Sequence, residues 1–308
     1  MSALNQPHFQ DATKAREWLE ALLWPNGAIC PHCGTVGGHY TLKGKGHRPG
    51  LWMCKDCREQ FTVTVGTVFE RSKIKLNVWL QAVYLLCSSK KGMSSHQLHR
   101  TIGVTYKTAW FMSHRIREAF RNGTPGPLGG GGSVVEADET FYGNIKGRRR
   151  AFNGTNSKHK ILSLVSREGE TRSFHVARVD GKTLLPILRK QVAQDSTLYT
   201  DTASQYKYMP KGTFKKHAMV NHMAGEYARG DVHSNTVESY FGVLKRGLNG
   251  TYQHVSEAHL QRYINEFDFR FTHRTSQGVT DAQRTKTALR QITGKRLTYR
   301  RVSTRPQA

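Results

Sequence analysis

Apolar residues recur at spacings of three and four along the first third of the chain, which predicts helices there. One run extends from Asp11 to Leu23, with Asp11 as its N-terminal cap. Three further runs cover residues 76–90, 94–103 and 105–120. Between the first run and the others, short β-type runs alternate with glycine-rich turns. We therefore expect a small ribbon of hairpins in that region.

The last two predicted helices form a helix-turn-helix pattern, because Gly103 interrupts the apolar spacing between them. In such a motif the second helix directs polar and basic side chains at a nucleic-acid groove or backbone. The candidates are Tyr106, Lys107, His114, Arg115 and Arg117. An ordinary helical hairpin with a solvated basic face is the alternative interpretation.

Residues 121–133 contain two prolines and four consecutive glycines, a composition that disfavours helix and strand and predicts a linker. Beyond it, strands and helices alternate. Two strands are joined at Glu168–Gly169, a later strand ends at Asp201, and residues 213–222 form a fifth strand candidate. The order of strand, strand, strand, helix, strand, helix and strand is that of a ribonuclease-H-like core.

Four of the five cysteines form two C-x-x-C pairs, Cys30 with Cys33 and Cys54 with Cys57. Their spacing matches the upper edge of a pattern that is typical of a tetrahedral zinc site. A disulfide framework is the alternative, but the chain opens without a secretory signal pattern, so we expect a reducing cytoplasm and a structural Zn²⁺ ion. Cys87, within an apolar run, is expected to be a small buried residue.

Two histidines, His39 and His47, lie between the cysteine pairs and could each replace a thiolate. Four thiolates already complete a structural zinc site, so we interpret both histidines as polar loop residues.

The chain carries 47 Lys and Arg residues against 22 Asp and Glu residues, a formal net charge of +25. This excess is spread over the whole length and predicts a polyanionic partner, with nucleic acid favoured over a membrane surface. A basic surface without a dedicated partner is the alternative. No apolar run approaches the length of a membrane-spanning helix, so we expect no membrane partner.

Three acidic residues are candidate ligands of catalytic metal ions: Asp138 on the first strand of the predicted core, Asp201 at the end of the fourth, and Glu238 on a later helix. Asn235 and Lys245 share the helix face of Glu238. Carboxylates from separate elements can hold the two divalent ions that cut a phosphodiester. Taken singly, each acid could instead be an ordinary turn, cap or surface residue.

Two more glutamates, Glu136 and Glu139, flank Asp138 on the same strand. We expect both to face away from it, in supporting positions or toward solvent.

Six segments together resemble the DDE-type transposases of bacterial insertion sequences that carry an N-terminal zinc ribbon and an ISXO2-like transposase domain. The segments are CPHCG, MCKDCREQFTVTVGTVFERSKI, EADETFYG, YTDTASQY, HSNTVESYFGVLKRGLNGTYQHVS and YINEFDFRFTHR. The resemblance covers nearly the whole chain. It implies a transposase that binds element ends and target DNA, cleaves, and transfers 3′-hydroxyl ends with Mg²⁺ or Mn²⁺.

By this resemblance Asp138 and Asp201 are the first two metal ligands, Glu238 is the third, and Lys245 grips the transposon end. Some patterns of the family have an asparagine at the third position, and Asn235 fits that description. A homo-oligomer in a synaptic complex and a nucleoid-associated, cytoplasmic location are also implied. A zinc-ribbon DNA-binding regulator with an inactive nuclease-like domain and a structure-specific nuclease are the alternatives.

The sequence thus predicts a mixed α/β protein with an N-terminal zinc ribbon and helix-turn-helix followed by a ribonuclease-H-like catalytic domain. The expected segments are a helix and zinc ribbon over residues 1–72, a helix-turn-helix region over 73–120, a linker over 121–133, the catalytic domain over 134–285 and a basic tail over 286–308. A basic run at residues 146–150 could neutralise DNA strands or be a solvated loop.

Overall fold

The computed structural model describes residues 3–44, 46–121, 126–145, 147, 157–207, 209–221, 224, 226 and 228–298. The chain divides into two compact units, and the second of them contains residues 90–92 and 121–280. The first unit contains the remaining residues at both ends of the chain.

The first unit begins with a 3-10 segment at Ala3–Asn5 and contains six α-helices and one small sheet among its described residues. The helices are α1 (Pro7–Gln10), α2 (Ala12–Leu23), α3 (Leu76–Ser88), α4 (Ser95–Ile102), α5 (Tyr106–Phe120) and, near the end of the chain, α10 (Asp281–Arg290). The sheet has the antiparallel order β1-β2-β3, with β1 at His39–Thr41, β2 at Trp52–Cys54 and β3 at Gln60–Phe61.

Local signals in the sequence explain where these helices begin and end. The Asp11 side chain accepts a hydrogen bond from Lys14 N at 2.8 Å, as an N-cap does. Ser94 caps α4 in the same way through Gln97 N. Gly103 ends α4 at φ 69°, in the left-handed region that glycine enters at little steric cost. The predicted helices over residues 11–23 and 76–120 are therefore confirmed.

The second unit is built on a five-stranded sheet with the order β6-β5-β4-β7-β8. Strands β4, β5 and β6 form an antiparallel meander, whereas β7 runs parallel to β4 and β8 parallel to β7. The strands are β4 (Val134–Tyr142), β5 (His159–Ser166), β6 (Thr171–Val176), β7 (Thr197–Asp201) and β8 (Lys216–Val220). A short hairpin follows, formed by β9 (Ala228–Arg229) and β10 (Val232–His233).

Helices cover both faces of the five-stranded sheet, and each face has its own apolar core. One core includes residues of α6 (Gly181–Gln191) and Tyr206 of the short helix α7 (Ser204–Lys207). The other lies under α8 (Asn235–Gly247), a π-helical segment at Leu248–Tyr252, and α9 (Glu257–Thr272). A 3-10 segment follows at Thr275–Gln277. The mixed α/β class is confirmed, and the element order is the one expected for a ribonuclease-H-like core.

Two of the expected segment boundaries differ from the structure. Within the predicted linker, Leu128 is buried and pairs with Val192, and Gly130 N donates a hydrogen bond to Ser196 Oγ, so this stretch packs on the second unit. At the other end, α10 belongs to the first unit, so residues 281–285 leave the expected catalytic domain and the expected tail begins inside a helix. The reason is that Ala288 and Leu289 of α10 are fully buried.

Candidate functional site

The four sulfur atoms of Cys30, Cys33, Cys54 and Cys57 all lie within 4.8 Å of one another. The distance between the Sγ atoms is 3.6 Å for Cys30 and Cys57 and 3.7 Å for Cys33 and Cys54. Zinc–sulfur bonds of about 2.3 Å in a tetrahedron require sulfur–sulfur edges of about 3.8 Å. The residues present therefore fit a structural zinc ion.

The backbone of both cysteine pairs folds in the same way. Gly34 N donates to Cys30 O at 2.9 Å, and Arg58 N donates to Cys54 O at 3.1 Å. Both residues that follow the second cysteine of a pair have a left-handed backbone, with φ 81° at Gly34 and 57° at Arg58. Each pair is thus a tight turn that aims two thiols at a single point.

The neighbouring histidine His39 makes contacts within the ribbon. Its Nε2 atom lies 3.0 Å from Thr35 O, and its ring meets Phe61 edge-on with centroids 5.3 Å apart. His39 is therefore not a loop residue as predicted, because it begins β1 and packs on the ribbon core. Cys87 is fully buried in α3, as expected.

The helix-turn-helix formed by α4 and α5 presents a smaller polar surface than we expected. His114, Arg115 and Arg117 are at most 5% exposed, so the prediction that they point at a DNA groove is wrong. Arg115 Nη2 donates to Glu70 O at 2.7 Å, and Arg117 Nη1 donates to Ser113 Oγ at 3.1 Å. These side chains are buried because this part of α5 is covered on nearly every side, as the burial of Ser113, Ile116 and Phe120 shows.

The exposed surface of the helix-turn-helix lies around the turn. Tyr106 is 45% exposed, and its ring stacks on that of His96 with centroids 4.2 Å apart. Lys107 and Arg100 are also exposed. Aromatic and basic groups therefore occur together at the start of α5, where a recognition helix contacts nucleic acid.

In the second unit, the sheet brings Asp138 and Asp201 side by side. The parallel pairing of β4 with β7 aligns Val135 with Leu198 and Glu136 with Tyr199. Asp138 and Asp201 each lie two residues beyond the last of these pairs, so their side chains leave the neighbouring strands on the same face of the sheet. Asp201 is the last residue of β7, and its Oδ1 accepts a hydrogen bond from Ala203 N at 3.0 Å.

The electrostatics of Asp138 show that several acids share this place. Burial, followed by the charges of Glu139, Asp201 and Glu238, raises the pKa of Asp138 to about 7, although a hydrogen bond from Glu139 N opposes the shift. Asp138, Asp201 and Glu238 come from a strand, a strand end and a helix, and the charges of Asp201 and Glu238 both act on Asp138. Such a carboxylate cluster is suited to a hard divalent cation.

Glu139 belongs to the same acidic cluster, although its side chain turns to the other face of the sheet. Its carboxylate accepts a very short hydrogen bond from the Tyr206 hydroxyl and another from Gln205 Nε2 at 3.0 Å. Burial and the charge of Asp201 raise the pKa of Glu139 to about 7 against these hydrogen bonds. Glu139 therefore does face away from Asp138, as expected. Its charge nevertheless acts on Asp138 and helps to raise the pKa of that residue.

The expectation that Glu136 faces away from Asp138 is wrong, although Glu136 does take a supporting position. Its carboxylate is fully buried and accepts hydrogen bonds from Thr236 N at 2.9 Å and Val237 N at 3.0 Å, at the start of α8. It also accepts from Thr236 Oγ1 at 2.9 Å and from Arg167 Nε at 3.3 Å. The signal was present in the sequence, because residues two apart on a strand share a face and Glu136 therefore faces the same way as Asp138.

Helix α8 begins with the two candidates for the third position. Asn235 is its first residue and is exposed, and Asn235 N donates to His233 Nδ1 at 3.3 Å. Glu238, one turn later, is exposed and accepts a hydrogen bond from Ser234 Oγ at 3.0 Å. Lys245 is exposed in the last turn. The charge of Glu238 acts on Asp138. Asn235 is a neutral amide and therefore has no such effect on the pKa of Asp138.

The basic run Lys146–Arg150 lies outside the described residues apart from Gly147. None of the described helices is long and apolar enough to cross a membrane.

Comparison with known proteins gives two family matches. Residues 127–272 match the ISXO2-like transposase domain, and residues 11–60 match the transposase zinc-ribbon domain. The chain is 30% identical over 281 residues to a protein of the transposable element ISH50 of Halobacterium salinarum. This alignment covers 85% of this chain and 91% of that protein. It is 31% identical over 96 residues to a transposase-like protein of Haemophilus influenzae, covering 31% of this chain and 76% of the relative.

Proposed function

The chain belongs to the family of ISXO2-like transposases with a zinc ribbon, and from this premise we propose that it is a DDE transposase of an insertion sequence. In this proposal it binds the ends of the element, cleaves them, and transfers the released 3′-hydroxyl groups to target DNA. The observation that supports the proposal most directly is that the charges of Asp201 and Glu238, from two other elements, both act on the buried Asp138.

Asp138, Asp201 and Glu238 would hold Mg²⁺ or Mn²⁺ in this site. Hard carboxylate oxygens suit these ions, and the repulsion among the acids favours a bound cation. When bound, the metal ions would polarise the phosphodiester and lower the pKa of the attacking water or hydroxyl. Asp138 and Asp201 are fixed by the sheet, so these two carboxylates supply a rigid base for the site.

The remaining groups act on position and charge. Tyr206 and Gln205 hold the Glu139 carboxylate away from the face that Asp138 and Glu238 share. Glu136 holds the first turn of α8, and with it Glu238, over the sheet. Lys245, two turns beyond Glu238 on the same helix face, would neutralise a phosphate of the element end.

We assign the third acidic position to Glu238 rather than Asn235. A carboxylate binds Mg²⁺ more strongly than a neutral amide, and the charge of Glu238 acts on Asp138. Asn235 would then orient a ligand or water from the first turn of the helix. Glu238, in the first turn of α8, also lies two turns before Lys245 on the same helix face, so an acid and a cation lie along one edge.

Sequence recognition belongs, in this proposal, to the zinc ribbon and the helix-turn-helix. The net charge of +25 supports DNA as the partner, and the exposed Tyr106 and Lys107 lie where a recognition helix meets DNA. Joining two ends requires a synaptic complex, for which a homo-oligomer is the simplest arrangement. The proposed site of action is the bacterial nucleoid in the cytoplasm.

The test is a strand-transfer assay with labelled element ends, a supercoiled target plasmid and Mg²⁺. The wild-type chain should give cleaved ends and joined product, and Asp138→Asn or Asp201→Asn should give neither while retaining DNA binding. The exposed acid Asp231 provides a matched control, since Asp231→Asn should leave both products in place. Cleavage without joining would identify a nuclease, and binding without any cleavage would identify a DNA-binding regulator.

A further inference from the structure

A second group of metal-binding side chains lies in the second unit, away from the acidic cluster. Ligand atoms of His159, His175 and Glu257 all lie within 4.8 Å of one another. His159 starts β5, His175 lies on β6, and Glu257 is the first residue of α9. Asp138 pairs with Ser163, four residues further along β5 than His159, which separates the two groups by about 13 Å along the strand.

The two imidazoles share a face of the sheet. His175 pairs with Ile161 and Val176 with Lys160, so His159 is a diagonal neighbour of His175 on the face that α9 covers. His159 Nδ1 and His175 Nε2 are 3.2 Å apart. Metal–nitrogen bonds of about 2.0–2.1 Å in a tetrahedron require a nitrogen–nitrogen edge of about 3.3 Å, close to this distance.

The carboxylate is held over the imidazoles by the docking of α9. One turn after Glu257, Gln261 accepts a hydrogen bond from His175 N at 2.8 Å and donates to Ser173 O at 2.9 Å. Further along, Asp268 Oδ2 accepts from Ser173 N at 2.8 Å. These bonds fix the rotation of the helix about its axis, so its first turn faces the histidine pair.

We propose that His159, His175 and Glu257 form a site for a borderline divalent transition metal ion, with Zn²⁺ as the resident ion. Two imidazoles and one carboxylate suit zinc, whereas Mg²⁺ prefers a shell made only of oxygens. Three protein ligands leave a fourth position for water. The ion ties the first turn of α9 to the β5–β6 hairpin and is distinct from the zinc of the cysteine ribbon.

Charges near this site act in both directions. Lys160 lies close to both histidines, and its ammonium group opposes a bound cation. Lys160 Nζ donates to Lys158 O at 3.2 Å, and Glu257 supplies the compensating negative charge. Glu257 is the one ligand that brings a negative charge, and it is also exposed, so its replacement leaves the core intact.

The first experiment is equilibrium dialysis of the full chain against Zn²⁺, followed by elemental analysis. Wild type should retain one ion more than Glu257→Gln or His175→Asn. The affinity of the second ion should fall by at least about tenfold, because loss of even an outer partner of a ligand costs about 10- to 100-fold. His254→Asn, which changes an exposed histidine just before α9, is the matched control and should retain both ions.

Cobalt substitution separates the two metal sites. Co²⁺ in the ribbon gives thiolate charge-transfer bands, and Co²⁺ at the proposed site gives only d–d bands. Glu257→Gln should lose the latter and keep the former, and circular dichroism should show that its second unit remains folded. In wild type, zinc should slow amide exchange at the start of α9. A wild-type chain that binds only the ribbon ion, or a second ion that persists in both variants, would overturn the proposal.

Discussion

The buried carboxylate of Glu136 accepts hydrogen bonds from the backbone N–H groups of Thr236 and Val237, at 2.9 Å and 3.0 Å. A residue two positions before Asp138 on β4 thereby takes the role of an N-cap for a helix that begins a hundred residues later. Ser234, which occupies the cap position, donates instead to Glu238. The sheet and the helix that carry the acidic cluster are thus joined by one side chain.

Glu136→Gln should weaken this connection between β4 and α8. The amide retains one acceptor oxygen but directs an NH₂ group at donors, and it removes the charge that faces the helix dipole. We expect a loss of about 1–3 kcal/mol in the free energy of unfolding, the scale for a buried hydrogen bond to a charged group. The free energy of unfolding measured in urea and the rate of metal-dependent cleavage should both decrease, and Asp231→Asn serves as the control. An unchanged variant in both assays would remove the positioning role of Glu136.

Replacement of an acid should abolish cleavage without abolishing DNA binding. Asp138→Asn, Asp201→Asn and Glu238→Gln each remove a proposed metal ligand, and we expect cleavage rates to fall by about 100-fold or more, beyond the 10- to 100-fold typical of outer partners. Electrophoretic mobility shift should show affinity for element ends within a few-fold of wild type. If affinity is lost in parallel with cleavage, the acids support the fold rather than the reaction.

Glu238→Ala and Asn235→Ala distinguish the two candidates for the third position. Loss of activity in Glu238→Ala, with a smaller decrease in Asn235→Ala, is the expected result. Calorimetric titration of Mn²⁺ should show the same order, because a metal ligand affects metal affinity directly. The reverse order would assign the third position to Asn235.

The stability of the metal-free protein should depend on pH through Asp138 and Glu139. Their pKa values of about 7 lie above the ordinary value near 4, so the folded state retains protons that the unfolded chain has released between about pH 4 and pH 7. The free energy of unfolding therefore falls as the pH rises through that range. Asp138→Asn should be more stable than wild type at pH 8, by a few kcal/mol at most, and the difference should vanish near pH 4.

Mg²⁺ should raise the melting temperature more at pH 8 than at pH 6, because the ion must displace protons from these carboxylates at the lower pH. Differential scanning fluorimetry of wild type and Asp138→Asn at both pH values measures the effect. A shift of equal size in the variant would mean that the ion binds elsewhere.

Loss of one thiolate should unfold the ribbon. Cys30→Ser leaves three sulfur ligands, and most of the folding free energy of a small zinc module comes from its metal. The thiolate bands of the Co²⁺-substituted protein should disappear, and amide exchange in β1–β3 should accelerate. Cys87→Ser, which changes the buried cysteine of α3, should retain the bands.

Side chains of α5 should divide into two classes. Lys107→Ala should weaken DNA binding and reduce the slope of log affinity against log salt by about one, as expected for one phosphate contact. Arg115→Ala should instead lower stability by about 1–3 kcal/mol, because its buried hydrogen bond to Glu70 O is lost. Salt titrations of DNA binding and urea unfolding should be measured for both variants. A change in the salt slope of Arg115→Ala would contradict the burial of the Arg115 side chain.

Much of the architecture could be read from local patterns. The cysteine spacing, the cap at Asp11, the break at Gly103 and the strand ending at Asp201 each depend on residues close together in the chain. Asp138 and Asp201 could be paired in advance because the predicted order of strands places their strands in one sheet. Helical spacing also placed Glu238 on a later helix, and the family resemblance then gave it the third position.

Long-range contacts were beyond these patterns. Some of these contacts join residues that are far apart in the chain, as in the capping of α8 by Glu136 and the approach of Glu257 to His159 and His175. Others depend on how a helix is rotated against its neighbours, as in the burial of Arg115 and Arg117. Spacing specifies which residues share a face, but packing specifies what that face meets. Local chemistry thus established the elements and most of the candidate ligands, and the three-dimensional arrangement alone established their partners, since burial and charge depend on neighbours that the chain brings together only by folding.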